Sequence, residues 1–290
     1  MLYGIYYAYW EKEWGGDFIP YIRKVKKLGF DILEVACHNF SDTENEYLYQ
    51  LKEAADAEGI ILTGGYGNDS THNISGADPM IVKAAFDKFE KTFQKMNIAG
   101  IKLLGGSLYS YWPVDYSLPL NKKEDMKRGI ETVRILADMA AEYEITLGME
   151  VLNRFEGYML NTCEEAVDFV SKIDRPNVKV MLDTFHMNIE EDDMCGAIRN
   201  AGDMLGHVHV GENNRKLPGM NNSLDWAGIG QAIRDIHYDK GVVMEPFLFR
   251  GGDVGYSCRV WRDLSNGATQ EQLDEYLKTS LKFLKEKFEA

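Results

Sequence analysis

Four residues able to bind a metal stand near the ends of apolar runs in the second half of the chain. They are Glu150 in Leu-Gly-Met-Glu-Val-Leu, Asp183 in Val-Met-Leu-Asp-Thr, His209 in Gly-His-Val-His-Val and Glu245 in Val-Val-Met-Glu-Pro. If each run is a strand, side chains alternate between its two faces. The flanking Met149, Val151, Leu182, Val208, Val210 and Met244 then take one face and the four polar groups share the other. Three carboxylates converging in a dry interior repel one another and lose hydration unless a cation compensates them. A single carboxylate at a strand end is ordinarily a loop anchor or a helix cap, but four candidates in successive strands favour a shared divalent ion. Oxygen donors with one nitrogen suit Mn²⁺, Co²⁺ or Mg²⁺ better than a thiolate-rich zinc site does. Cys37, Cys163, Cys195 and Cys258 lack CxxC spacing and read as reduced thiols.

Other polar groups follow the same runs. His207 shares the parity of His209 one layer deeper, which makes it a group behind the metal ligand or a core histidine. Asn153-Arg154-Phe155-Glu156, Phe185-His186 and Glu212-Asn213-Asn214-Arg215 lie just past three of the strands and could hold the hydroxyls and carbonyl of a small polyol, or simply cap loops and pair on the surface. His38 and His72 read as solvated loop residues. Tyr6, Tyr7, Trp14 and the run Tyr109-Ser110-Tyr111-Trp112-Pro113 offer apolar walls of the kind that stack on sugar C–H faces, or ordinary packing. Gly105-Gly106 and Gly251-Gly252 lack the context of a phosphate cradle.

The elements that must position these groups can be read from periodicity. Short apolar runs alternate with amphipathic stretches along the whole chain, the pattern of βα units around a parallel sheet. Strands are predicted at Gly4–Tyr9, Ile32–Ala36, Ile60–Gly65, Gly100–Leu104, Thr146–Leu152, Val178–Asp183, Gly206–Val210 and Gly241–Pro246. Helices are predicted at Phe18–Leu28, Glu44–Glu58, Met80–Met96, Glu124–Tyr143, Cys163–Ile173, Cys195–Ala201, Trp226–Ile236 and Gln270–Phe288. Eight units favour a closed (β/α)8 TIM barrel over an open doubly wound sheet, and no Pro/Ser-rich linker breaks the series, so residues 1–290 read as a single barrel domain. Two segments, Ser107–Asn121 after strand four and Leu248–Thr269 after strand eight, are too long for simple connections and belong on the C-terminal face, where barrel active sites are built.

Composition bounds the partners. At 45% hydrophobic, 12% aromatic and 27% charged, the 290 residues hold enough apolar material for a real core. Lys plus Arg at 32 against Asp plus Glu at 46 gives a net charge of −14, a sign that repels nucleic acid and anionic membranes. No apolar run has the length of a membrane helix, and the opening Met-Leu-Tyr-Gly-Ile has none of the features of an export signal, so a cytoplasmic protein is expected.

Five segments together carry a resemblance. Gly-Ile-Tyr-Tyr-Ala-Tyr-Trp at 4–10, Leu-Tyr-Ser-Tyr-Trp-Pro at 108–113, Glu-Val-Leu-Asn-Arg-Phe-Glu at 150–156, Val-Met-Leu-Asp-Thr-Phe-His-Met-Asn at 180–188 and Met-Glu-Pro-Phe at 244–247 are similar to the ketose 3-epimerases, the D-psicose (D-allulose) and D-tagatose 3-epimerases of the xylose-isomerase-like barrels. The resemblance implies one Mn²⁺ or Co²⁺ per subunit, free ketohexose substrates and a homodimer or homotetramer. It makes Glu150, Asp183, His209 and Glu245 the metal ligands and Glu150 and Glu245 the acid/base pair. Glu156, His186 and Arg215 match residues that bind the substrate around O1 to O3, and Tyr6 and Trp112 match the pocket wall. Residues 37–40, 64–68 and Ser107 depart from the family pattern and approach the C4 to C6 end of the sugar.

The chemistry implied is epimerisation at C3. That carbon's proton is α to the C2 carbonyl, and inversion needs its removal from one face and its return to the other, for which two carboxylates are the minimum device. An aldose–ketose isomerase would use the same metal and barrel while moving hydrogen between C1 and C2. A metal-dependent nuclease of this barrel class would want more histidines and a basic groove, and a non-catalytic sugar-binding barrel has no reason to converge three carboxylates.

Overall fold

A computed structural model describes residues 1–290. Eight parallel strands close into a barrel in sequence order, β1 Leu2–Tyr6, β2 Ile32–Ala36, β3 Ile61–Gly67, β4 Leu103–Ser107, β5 Thr146–Glu150, β6 Val178–Asp183, β7 Leu205–Val210 and β8 Gly241–Met244. The seam pairs β8 with β1 through Leu2 opposite Gly241 and Ile5 opposite Met244. Around it lie α1 Ile19–Leu28, α2 Asn45–Glu58, α3 Pro79–Ala99, α4 Lys122–Ala141, α5 Cys163–Ile173, α6 Thr184–Glu190, α7 Met194–Ala201, α8 Trp226–Asp235, α9 Gly252–Ser257 and α10 Gln270–Phe288. The helices start where the sequence supplies acceptors for free N–H groups. Asp78, Thr162, Asp193 and Asp225 cap α3, α5, α7 and α8, and Thr269 with Gln272 forms a reciprocal capping box on α10.

Several boundaries differ from the sequence-based expectation. The first strand ends at Tyr6 and gives way to a single 3-10 turn over Tyr7–Tyr9. The fourth strand lies three residues later than expected, because Gly100 is the left-handed C-cap of α3, at φ +75°, rather than a strand start. β8 stops at Met244, which places Glu245 just beyond it, its N–H still held by the Val210 carbonyl at 3.1 Å. Two short helices, α6 and α9, were not anticipated. The connection 108–121 has no helix or strand, and 245–269 holds only α9.

The barrel interior is filled unusually. Large aliphatics pack between sheet and helices, Ile5, Leu33, Val35, Leu104, Leu147 and Val242 among them. Inside, glycines make room for a few big side chains. A Cβ at Gly105 would lie 2.5 Å from Sδ of Met181, and one at Gly65 would lie 3.1 Å from the ring of Tyr6. The inside of the barrel is thus a packed floor of Met181, His207 and Glu34, all 1% exposed, beneath an open mouth.

Candidate metal centre and active site

Glu150 ends β5, Asp183 ends β6, His209 is the penultimate residue of β7 and Glu245 follows β8. Their donor atoms all lie within 4.8 Å of one another. Asp183 is fixed twice. One oxygen accepts the Phe185 N–H at 2.8 Å and so caps α6, while the other accepts from Arg215 Nη1 at 3.0 Å. The same Nη1 donates to Glu245 Oε2 at 2.8 Å, leaving Oε1 of Glu245 3.4 Å from Nδ1 of His209. That Nδ1 is buried and has no hydrogen-bond partner.

Electrostatics single out this cluster. Burial, and then the charge of Glu245, push Glu150 well above the ordinary carboxylate range. Burial opposes ionisation of Asp183 as well, but Arg215, His186 and His209 outweigh it and bring its carboxyl below the usual value. For His209 burial disfavours the cation, yet Glu34 and Glu245 more than reverse that and raise it far above a free imidazole. A divalent ion would resolve both conflicts, favouring ionised Glu150 and taking the place of a proton on Nδ1. The orphaned nitrogen and three crowded carboxylates therefore fit a hard or borderline divalent ion.

A second tier of side chains closes over the cluster. Arg215 is nearly fully buried at a left-handed φ of +64°, with its guanidinium 3.9 Å from the centroid of Phe185 and 5.2 Å from that of Phe247. His186, in α6, places Nε2 3.8 Å from both Glu150 and Asp183, and its Nδ1 faces the Asn153 amide at 2.7 Å. Glu156 accepts from Asn153 Nδ2 at 3.1 Å and from the Trp112 indole N–H at 3.2 Å. Despite burial, His186 and Arg215 keep its carboxyl below the usual range. Trp112, Trp14, Phe247 and Tyr6 follow one another edge to face or tilted, at centroid distances of 6.0 to 6.4 Å, and form one wall. Together these groups line a cavity of about 360 Å³ that takes in all nine predicted site residues except Asp183, which lies beneath it. Such a volume suits a small molecule.

Some expectations fall elsewhere. Glu212 is fully buried and spent on structure, accepting from the N–H groups of Gly219, Asn222 and Ser223 and from the Trp226 indole. Arg154 pairs with Glu190 at 2.8 Å, away from the cavity. His38, expected in solvent, is half-buried and lines the cavity's far end with Lys88. Glu34 was missed. It is 1% exposed in β2 and accepts from His209 Nε2 at 2.5 Å, His207 Nε2 at 2.8 Å and Thr63 Oγ1 at 2.7 Å. The available signal was one charge inside the apolar run Ile-Leu-Glu-Val-Ala.

The family model for xylose isomerase-like TIM barrels matches residues 22–287. The D-psicose 3-epimerase of Enterocloster bolteae is 50% identical over 290 residues, 99% of this chain and 96% of that protein. The D-psicose 3-epimerase of Agrobacterium fabrum is 49% identical, covering 98% of each. This chain belongs to the ketose 3-epimerase family. A crystal structure of D-psicose 3-epimerase with D-tagatose, from Clostridium cellulolyticum H10, superposes with a TM-score of 0.98 at 48% identity over 100% of both chains. The protein is thus an epimerase-class enzyme on a closed TIM barrel, and no helix is long and apolar enough to cross a membrane.

Proposed function

We propose that this enzyme inverts C3 of free ketohexoses, interconverting D-fructose and D-psicose, with D-tagatose and D-sorbose as a second pair. The observation that carries the reading is the placement of two carboxylates, Glu150 at the end of β5 and Glu245 just after β8, in one donor cluster that lines the cavity. The names of its relatives, D-psicose 3-epimerases, support it. Glu150, Asp183, His209 and Glu245 would hold one Mn²⁺ or Co²⁺, with Mg²⁺ as a third option. When bound, that ion supplies Lewis-acid stabilisation of negative charge developing on the C2 and C3 oxygens.

The protein's own groups do the rest. One of Glu150 and Glu245 takes the C3 proton and the other returns a proton to the opposite face. Which acts first depends on the starting epimer. Arg215, His186 and Glu156 bind the sugar around O1 to O3, with Arg215 held in place by Asp183 and Glu245. Tyr6 and Trp112 present apolar faces to the sugar's C–H groups and keep water out. The whole of residues 1–290 acts as one catalytic barrel domain, assembled as a homodimer or homotetramer in the cytoplasm.

The test is solvent labelling. Reaction in D₂O is expected to place deuterium at C3 of the product and leave C1 protiated. An aldose–ketose isomerase, the competing reading, would exchange at C1 or C2 and yield an aldose from D-fructose. Label at C1 alone would sink the C3 mechanism.

A further inference from the structure

Beneath the metal cluster lies a carboxylate that no proton-transfer step uses. Glu34 comes from β2, on the far side of the barrel from His209, and reaches across the interior floor. Its Oε2 accepts from Thr63 Oγ1 and His207 Nε2, while Oε1 accepts from His209 Nε2 alone. An ionised carboxylate can only accept hydrogen bonds, so the His209 nitrogen facing it must carry the proton. The opposite nitrogen, Nδ1, then points its lone pair at Glu150, Asp183 and Glu245, where it finds no protein donor. Separations of 2.5 and 2.8 Å to the two histidines are hydrogen-bond lengths. Each contact is therefore of a length that a shared proton bridges.

We propose that Glu34 is a positioning residue that fixes the tautomer and ring orientation of His209 and raises its basicity, so that this enzyme's affinity for its divalent ion is set from the floor of the barrel. The proposal rests on His209 being a metal ligand. Thr63 and His207 complete the device by occupying Oε2, which holds the carboxylate plane so that Oε1 faces His209. The bracing spans β2, β3 and β7, and it converts a flexible glutamate into a fixed acceptor. Outer partners of this kind typically govern metal affinity by 10- to 100-fold.

The experiment compares wild type and Glu34→Gln by chelator-competition titration with Mn²⁺, by the visible absorption spectrum of the Co²⁺ form and by the melting temperature of each metal-free protein. A neutral amide cannot accept from both histidines, so either orientation costs His209 its charged partner. Expected are Mn²⁺ binding weakened about 10- to 100-fold and a changed Co²⁺ spectrum. The metal-free variant should remain folded, with a melting temperature close to that of wild type. Glu34→Asp, which keeps the charge but draws it back by one methylene, should recover part of the lost affinity, and it serves as the test if Glu34→Gln does not fold. Wild-type Mn²⁺ affinity and an unchanged Co²⁺ spectrum in folded Glu34→Gln, or in Glu34→Asp where the first variant is lost, would overturn the role of Glu34 alone. Failure of the wild-type protein to take up any Mn²⁺ would instead overturn the metal centre, and this proposal with it.

Discussion

Strands β5 to β8 deliver Glu150, Asp183, His209 and Glu245 to the barrel mouth, whereas β1, β3 and β4 deliver Tyr6, Gly67 and Ser107 to the same cavity. On the first side charged groups are bound to one another at 2.8 to 3.8 Å, through Arg215 and His186. On the second side aromatic rings and bare backbone make up much of the wall, the buried Ser107 hydroxyl has no hydrogen-bond partner, and His38, Asp69 and Lys88 complete the lining. The contrast teaches how one cavity divides its labour. On the proposed mechanism, preorganised charge is placed where a proton must move, and the remainder of the substrate meets a wall mainly of rings and backbone, with His38, Asp69 and Lys88 as its titratable groups.

The largest effect should come from the charged side. Glu150→Gln and Glu245→Gln are each expected to lower kcat by about a thousand-fold or more, at the upper end of what general acid–base groups contribute. With one base left, slow exchange of C3 hydrogen from a single epimer can survive without inversion. Measuring kcat and C3 exchange alongside metal content separates this from simple loss of the ion. Full activity in a metal-replete Glu150→Gln protein would erase the functional distinction between the two sides.

Metal removal comes next. An ion present at about 100 times its dissociation constant adds roughly 2.7 kcal/mol to folding stability. A chelated sample should therefore melt several degrees lower in calorimetry, with Mn²⁺ or Co²⁺ restoring the curve, since Glu150, Asp183 and Glu245 are left uncompensated. An unchanged curve after verified removal would mean that the charged side is balanced by Arg215 and His209 alone.

The aromatic side should answer more mildly. Trp112→Ala removes a pocket wall and the indole bond to Glu156, and it is expected to raise KM about tenfold while metal content stays at the wild-type level. An unaffected KM would make the 108–121 connection a scaffold only. Smallest of all, Ser107→Ala deletes one unpartnered hydroxyl. Its kcat/KM should change by a few-fold at most, and unequally across a panel of ketoses differing at C4 and C5, as expected for one neutral hydrogen bond. Equal change for every ketose would place that hydroxyl outside the substrate's reach.

The two sides also differed in how much the sequence disclosed. Glu150, Asp183, His209 and Glu245 each interrupt an apolar run at a strand end, so period-two alternation alone brings them to one face. The eightfold alternation of runs likewise foretold the closed barrel. Where the chain turns glycine-rich, the signal fails: the predicted strand stops at Leu104, whereas Gly105 and Gly106 pair with β3 and β5 as strand, with Met181 filling the space beside Gly105. Helix α6 begins directly on Asp183, so its first turn was taken for a loop after β6. Glu34 escaped because its partners lie 29 to 175 residues away in sequence, and no local pattern announces a carboxylate that bonds to a histidine across the barrel.

The contact between Tyr6 and Gly65 has a consequence for how such a pocket changes over generations. With a prospective Cβ at position 65 only 3.1 to 3.4 Å from three atoms of the Tyr6 ring, any side chain there displaces the tyrosine before it meets anything else. Position 65 is thus a dial on the width of the cavity, acting through Tyr6, whose ring centroid lies 6.4 Å from that of His209. A lineage, or an engineer, can turn it in steps of one methyl group to reshape the cavity while Glu150, Asp183, His209 and Glu245 themselves are inherited unchanged.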